Sequence, residues 1–81
     1  METRLAIVGI IIEDRSAVMA VNNLLSEYGD NIVGRMGLPY AKKNVSVISV
    51  VMDAPMDAIS ALSGKLGALS GVSTKTVYSK K

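Results

Sequence analysis

The sequence predicts an α+β domain of βαββαβ order, a ferredoxin-like sandwich in which two helices cover one face of a four-stranded antiparallel sheet. Two apolar segments with strand character begin 40 residues apart, at Leu5 and Val45. Each is followed by a helical stripe of apolar residues, and both stripes have the same 3-4-3 spacing. Two similar strand–helix–strand halves with right-handed crossovers place strands one and three at the centre of the sheet.

The first half begins with strand one at residues 4–12, a short segment that is rich in Ile and Val. A polar break follows, and it contains two residue types that cap helices, Asp14 and Ser16. Helix one is predicted from about residue 16 to residue 28, and Gly29 suits a left-handed position after its end. The apolar stripe of this helix is formed by Val18, Val21, Leu25 and Tyr28.

The second strand is weaker, at residues 31–36, because Gly34 and Gly37 interrupt it. Residues 38–43 are then expected to form a polar loop with Pro39 as its turn residue. Residues 45–52 have the strongest strand pattern in the chain.

Helix two is predicted to begin at a cap formed by Asp53, with Pro55 close to the first helical position. Its apolar stripe is Ile59, Leu62, Leu66 and Leu69, and Gly71 ends it. The last strand is predicted at residues 72–79.

The two central strands are apolar on both alternating sets of positions. A strand with one face in water would alternate between apolar and polar residues. Two helices cover one face only, so the other face would expose a larger apolar patch than a soluble monomer normally shows. The sequence therefore predicts a homo-oligomer, a dimer or a tetramer.

Composition limits the classes of function. The 81 residues are expected to form one domain, residues 1–81, and they include no Cys and no His. The commonest metal ligands and the commonest general base are therefore missing, and we expect no enzyme activity, no metal site and no cofactor. A net charge of +2 does not indicate nucleic-acid binding. The apolar run at residues 5–12 is much shorter than the roughly 20 residues of a membrane span, which favours a cytoplasmic protein without membrane contact.

Candidate ligand-binding residues lie in two segments. Glu13, Asp14 and Arg15 connect strand one to helix one, and the alternative explanation is that the acids only cap the helix. Asn31 is expected to contribute to the same site as these three residues. Near the middle loop the candidates are Arg35 and Tyr40, which with Lys42 and Lys43 could bind an anion; the alternative there is a solvated loop.

Three small residues, Ser60, Gly64 and Gly67, share one side of helix two. Glycines inside a helix are unfavourable by roughly 1 kcal/mol each relative to Ala. We expect the close approach of helix one or of a neighbouring chain to explain them.

Four segments of the sequence resemble a small bacterial family of iron-only hydrogenase system regulators. They are Arg35-Met36-Gly37-Leu38-Pro39-Tyr40, Asn44-Val45-Ser46-Val47-Ile48, Ala61-Leu62-Ser63-Gly64-Lys65-Leu66-Gly67 and Gly71-Val72. The resemblance implies a stand-alone ACT-like domain, related in fold to the C-terminal domain of nickel-responsive repressors. Nickel sensing is not implied, because this chain has no His or Cys. Amino-acid-binding ACT domains favour a glycine in the turn after strand one, where this chain has Glu13-Asp14-Arg15-Ser16.

The resemblance implies a regulatory role, and three alternatives stay open. A small-molecule sensor would bind its ligand at a groove between chains, near the turn after strand one. An interaction module would bind a protein partner, or would serve only for oligomerisation. An accessory transcriptional regulator would bind DNA through Lys42, Lys43, Lys75, Lys80 and Lys81.

Overall fold

The structure is a computed structural model that describes residues 2–80, and its elements follow the predicted βαββαβ order. The strands are β1 (Arg4–Ile12), β2 (Ile32–Tyr40), β3 (Val45–Ala54) and β4 (Val72–Tyr78), and the helices are α1 (Val18–Glu27) and α2 (Met56–Gly67). The sheet order is β2-β3-β1-β4, and all neighbouring strands are antiparallel. The predicted fold class is confirmed, with strands one and three at the centre.

The core lies between the two helices and one face of the central strands. The even-numbered residues of β1 from Ala6 to Ile12 are all buried, and so are their β3 counterparts Ile48, Val50 and Met52. The helices contribute the buried part of both predicted stripes, namely Val21, Leu25, Ile59, Leu62 and Leu66. The remaining stripe residues Val18, Tyr28 and Leu69 are half-buried against this cluster.

Strand β2 is longer than predicted, and the loop predicted at residues 38–43 is wrong in its first half. Leu38, Pro39 and Tyr40 belong to β2, where Pro39 lies opposite Ser46. A proline has no N–H to donate, which an edge strand tolerates and a central strand does not. The connection to β3 is only a 3-10 turn at Ala41–Lys43 followed by Asn44, whose φ of 54° is left-handed.

Two predictions about helix ends are also wrong. Asp53 does not cap α2, because β3 continues through it to Ala54, which pairs with Arg4; the N-cap position is occupied by Pro55. Gly29 begins a 3-10 turn instead of taking a left-handed conformation. Ala54 pairs with Arg4 of β1, a partner that a helix pattern alone does not include, whereas the turn at Gly29 is local, since the Asn31 N–H donates to the Tyr28 carbonyl.

Gly71 is the glycine of the described chain that has a positive φ, at 75°. Its carbonyl oxygen accepts a hydrogen bond of 2.7 Å from the backbone N–H of Glu13. A Cβ atom at this position would collide with the Cβ of Asp14. Gly71 therefore lets the α2–β4 connection lie directly against the turn between β1 and α1.

The glycines inside α2 have different surroundings. An ideal Cβ at Gly67 would lie 3.6 Å from the Thr74 methyl group, an ordinary van der Waals distance, so the contact with β4 does not require a glycine. Close beside it the hydroxyl groups of Ser63 and Thr76 are hydrogen-bonded at 2.6 Å. Gly64 has no atom within 4 Å of an ideal Cβ. The predicted close approach of helix one is therefore wrong for Gly64, and the approach of a neighbouring chain stays a prediction.

We expect Gly71→Ala and Gly64→Ala to change stability in opposite directions. Gly71→Ala should lower the free energy of unfolding by about 1–3 kcal/mol, because it places a side chain in a left-handed conformation and against Asp14. Gly64→Ala should raise it by about 0.5–1 kcal/mol, because alanine favours an open helix position. Urea unfolding of the two variants measures both effects, and equal effects of the two variants would contradict the packing described.

Candidate functional site

A small pocket opens between the start of α1 and the β2–β3 connection, and we call it the end pocket. Its volume is about 210 Å³, and it is lined by Ile12, Arg15, Val18, Pro39, Tyr40, Ala41, Asn44, Val45 and Ser46. Ile12 at the end of β1 is buried, whereas Pro39 near the end of the edge strand β2 is exposed. Both residues line the pocket.

The position of Arg15 depends on Asp14. The Asp14 carboxylate accepts hydrogen bonds from the Ser16 backbone N–H at 2.9 Å and from the Ser16 hydroxyl at 2.8 Å. These bonds stabilise the charged carboxylate, the hydroxyl bond most, and they lower the pKa of Asp14. They also fix the 3-10 turn Arg15–Ala17, which ends on the buried Ala17 and leaves Arg15 exposed at the mouth of the end pocket.

The opposite wall of the pocket comes from the end of β2 and the start of β3. Asn44 holds the left-handed conformation that joins the 3-10 turn to β3, a position that Asn tolerates well. Ser46 lies opposite Pro39 in the β2–β3 ladder, and Tyr40 lies opposite Val45. The polar residues Arg15, Tyr40, Asn44 and Ser46 therefore line a pocket whose other lining is aliphatic.

This combination suits a small anion with a short apolar part. Arg15 can hold a carboxylate through two parallel hydrogen bonds, and no Asp or Glu lines the pocket to compete with such a ligand. Among the described residues, one ion pair is formed, between Lys65 and Glu27 at 3.8 Å. Arg15 therefore has no carboxylate partner among those residues.

The structure places the predicted site residues in three different locations. Arg15 and Tyr40 both line the end pocket, and Glu13 and Asp14 lie next to it on the side of Gly71. Asn31 precedes β2 at the opposite end of the sheet, where its N–H donates to Tyr28. Arg35 lies in the middle of β2 and donates to the Asn22 side chain of α1 at 2.9 Å. These residues do not form one site.

Asn44 and Ser46 are pocket residues that the sequence reasoning did not identify. Both residues belong to a segment that carries the family resemblance, and neither is among the candidate ligand-binding residues of the sequence. The residue type of Asn44 was an available signal, because Asn directly before a strand often takes a left-handed turn conformation. Recognising that β2 extends through Tyr40 would have brought both residues to the same end of the sheet.

The face of the sheet opposite the helices is exposed and mainly apolar, and we call it the open face. Its residues are Leu5, Ile7, Gly9 and Ile11 from β1, Val45, Val47, Ser49, Val51 and Asp53 from β3, Gly34, Met36, Leu38 and Tyr40 from β2, and Ser73, Lys75 and Val77 from β4. Ile7 is 48% exposed and Val77 is 65% exposed. The predicted apolar patch at the sheet centre is therefore present in this chain.

The basic residues that a DNA-binding role would use do not form one surface. Lys42 and Lys43 lie in the turn after β2, while Lys80 follows β4 at the other end of the sheet. Lys75 lies on the open face, opposite Gly9. Lys81 is outside the described residues.

Two further features are absent from residues 2–80. No helix there combines the length and the apolar character needed to cross a membrane. Within the same residues no group of three or more acidic, His or Cys side chains lies close enough together to hold a metal ion.

Comparison with known proteins identifies a family. The family model called TM1266-like, which carries the provisional description of an iron-only hydrogenase system regulator, matches residues 4–76. The solved structure of protein TM1266 from Thermotoga maritima is 40% identical in sequence, with a TM-score of 0.94 over 98% of this chain and 100% of that chain. No curated protein matches the chain.

More distant structures share the fold. The ACT domain of GTP pyrophosphokinase from Chlorobium tepidum is 20% identical, with a TM-score of 0.70 over 100% of this chain and 91% of that chain. The protein CPII from Thiomonas intermedia, bound to ADP, AMP and acetate, is 18% identical, with a TM-score of 0.51 over 100% of this chain and 94% of that chain. At this level of identity the similarity shows an ACT-like and PII-like fold.

We expect the contribution of Asp14 to stability to depend on pH. Its pKa is lower in the folded chain than the ordinary value of 3.8, so its contribution is present above that value and is lost as the pH falls through the lowered pKa. Asp14→Asn keeps a capping side chain but removes the titrating group. The difference in free energy of unfolding between the native chain and Asp14→Asn should therefore shrink between pH 5 and pH 2, and a difference that stays constant would contradict the Ser16 contacts.

Proposed function

The chain belongs to the TM1266-like family of iron-only hydrogenase system regulators, and we propose that it is a ligand-sensing regulatory module of that system. The family and the ACT-like fold support a regulatory module. We propose that the chain performs no chemistry on its ligand, since the sequence has no His or Cys and the end pocket holds no carboxylate. Regulation would then depend on binding alone.

The observation that carries this proposal is that Arg15, Tyr40, Asn44 and Ser46 line one pocket whose remaining lining is aliphatic. A guanidinium without a carboxylate partner favours an anionic group, and the aliphatic wall favours a short hydrocarbon part. The volume of about 210 Å³ is too small for a nucleotide, because pockets for drug-sized ligands begin at roughly 300 Å³. The proposed ligand class is a compact carboxylate of about four to six carbon atoms.

Self-association is the second part of the proposal. At about 25 cal/mol per Å², covering a few hundred Å² of the open face contributes several kcal/mol, which is comparable with the stability of a domain this small. Two sheets packed face to face at about 10 Å would cover it. We propose a two-fold dimer, alone or as half of a tetramer.

The end pocket and the open face share two residues, and this supports a connection between ligand and assembly. Tyr40 and Val45 lie opposite each other at the end of the sheet, and both also line the end pocket. A ligand that changes the position of either side chain would change the edge of the self-association surface. By linkage, ligand affinity and dimer affinity would then depend on each other.

The sensing proposal is tested by thermal unfolding with isovalerate, 3-methyl-2-oxobutanoate, valine and leucine, with isovaleramide as a neutral control. At saturating concentration at least one acid should raise Tm by about 4 °C or more, and the amide should not. Arg15→Gln should abolish the shift, while Arg35→Gln, which changes an arginine outside the pocket, should keep it. No shift with any of the acids, or an unchanged shift in Arg15→Gln, would contradict the proposal.

The self-association proposal is tested by a lysine on each face of β3. Val47 lies on the open face, so Val47→Lys should leave a folded monomer. Ile48 is 6% exposed beneath the helices, so Ile48→Lys buries an unpaired ammonium group and should unfold the chain. Circular dichroism reports folding, and sedimentation equilibrium at micromolar concentration reports assembly. A native chain that sediments as a monomer, or a Val47→Lys chain that stays associated, would refute the proposal.

A further inference from the structure

Gly9 lies in the middle of the central strand β1, on the open face, and nothing within the described chain requires a glycine there. Glycine weakens the interior of a strand, because it has no side chain to pack and loses more conformational freedom on folding. Gly9 does not have the positive φ that distinguishes Gly71. An ideal Cβ at Gly9 would have its nearest contact with the carbonyl oxygen of Lys75 at 3.8 Å, an ordinary van der Waals distance.

The strand register shows that Gly9 forms the floor of a groove that runs across the strands. Gly9 lies opposite Ser49 on β3 and Lys75 on β4, and Ser49 lies opposite Met36 on β2. The two central positions of this row are therefore the small residues Gly9 and Ser49. We call this row the cross-strand groove.

Rows of larger apolar residues flank the groove on both sides. The first ridge is formed by Val51, Ile7 and Val77, and the second by Leu38, Val47 and Ile11. Between the groove floor and the second ridge the surface has an open depression of about 360 Å³, which is bordered by Ser73 and Lys75. The open face is therefore corrugated, with one groove between two ridges.

We infer that the cross-strand groove receives a ridge from the open face of a second copy of this chain. The groove and each ridge are neighbouring rows of the same surface. A two-fold axis that runs parallel to the rows, midway between groove and ridge, places each groove opposite the ridge of the other copy. The missing side chain at Gly9 lets the ridge approach the sheet closely, which explains a glycine that the isolated chain does not need.

The size and charge of the open face favour a second copy over another occupant. Its large apolar side chains are mostly 40–70% exposed and leave several hundred Å² uncovered, close to the roughly 800 Å² per partner of a stable interface. A two-fold interface must be self-complementary, and neighbouring ridges and grooves satisfy that condition. Lys75 and Asp53 are the two charged residues among those of the open face named above, so covering this face removes few charges from water.

The inference rests on the proposed self-association and adds the manner of packing to it. The test compares Gly9→Val with Gly34→Val by sedimentation equilibrium of the full chain. Both variants replace a glycine of the open face with valine, but Gly9→Val fills the groove, whereas Gly34→Val extends the first ridge next to Val51, where no atom lies within 4 Å of an ideal Cβ. Gly9→Val should weaken the dimer about tenfold or more, because overpacking is unfavourable, and Gly34→Val should leave it unchanged or tighter.

Each outcome separates the manner of packing from association itself. Urea unfolding at a concentration where the chains are monomeric should show that Gly9→Val is folded at least as stably as the native chain. An association driven by apolar area alone would tighten in both variants, which would overturn the inference and leave the dimer proposal in place. A native chain that is monomeric, because the face binds a different protein or an apolar ligand, would overturn both.

Discussion

The structure depends on a mismatch between its sheet and its helices. The two central strands carry apolar side chains on both faces, and the two helices have one apolar stripe each, which is enough to cover one face. The helices therefore lie side by side on the even-numbered residues of β1, and all of the buried core forms there. The apolar residues of the other face stay exposed, although apolar surface of that extent is unusual for a monomer. The buried core and the exposed apolar face follow from the same imbalance.

The junction between β1 and α1 connects this core to the end pocket. Gly71 lets the α2–β4 connection pack closely against Asp14, and the Glu13 N–H donates a hydrogen bond to the Gly71 carbonyl. Asp14 in turn orders the first turn before α1 through Ser16. The turn that contains Arg15 is thus held by the Gly71 contacts on one side and by the Asp14–Ser16 hydrogen bonds on the other. A side chain held on such a turn loses less conformational freedom when it binds a ligand, which favours binding.

The open face and the end pocket represent two different kinds of surface. The open face is broad and apolar, with its hydrogen-bonding groups used within the sheet, and such surfaces suit another protein surface. The end pocket is small and combines one cation and several polar groups with aliphatic walls, and such pockets suit a small molecule. Their shared residues Tyr40 and Val45 make the chain a compact candidate for a regulator whose assembly responds to a ligand.

The sequence by itself determined the fold class, the bounds of β1, both helical stripes and the presence of an uncovered apolar face. The helical stripes depend on periodicity and the bounds of β1 on a short segment rich in Ile and Val, and both are local properties of the sequence. The tertiary structure decided the rest. It set which alternating residues of β1 and β3 face the helices, because both sets are apolar and only packing distinguishes them. It extended β2 through Pro39 and β3 through Asp53, because neighbouring strands supplied backbone partners that the local pattern could not include. It also separated Asn31 and Arg35 from Arg15 and Tyr40 and brought in Asn44 and Ser46, since a site is assembled from chain segments whose distance in space is set by strand register.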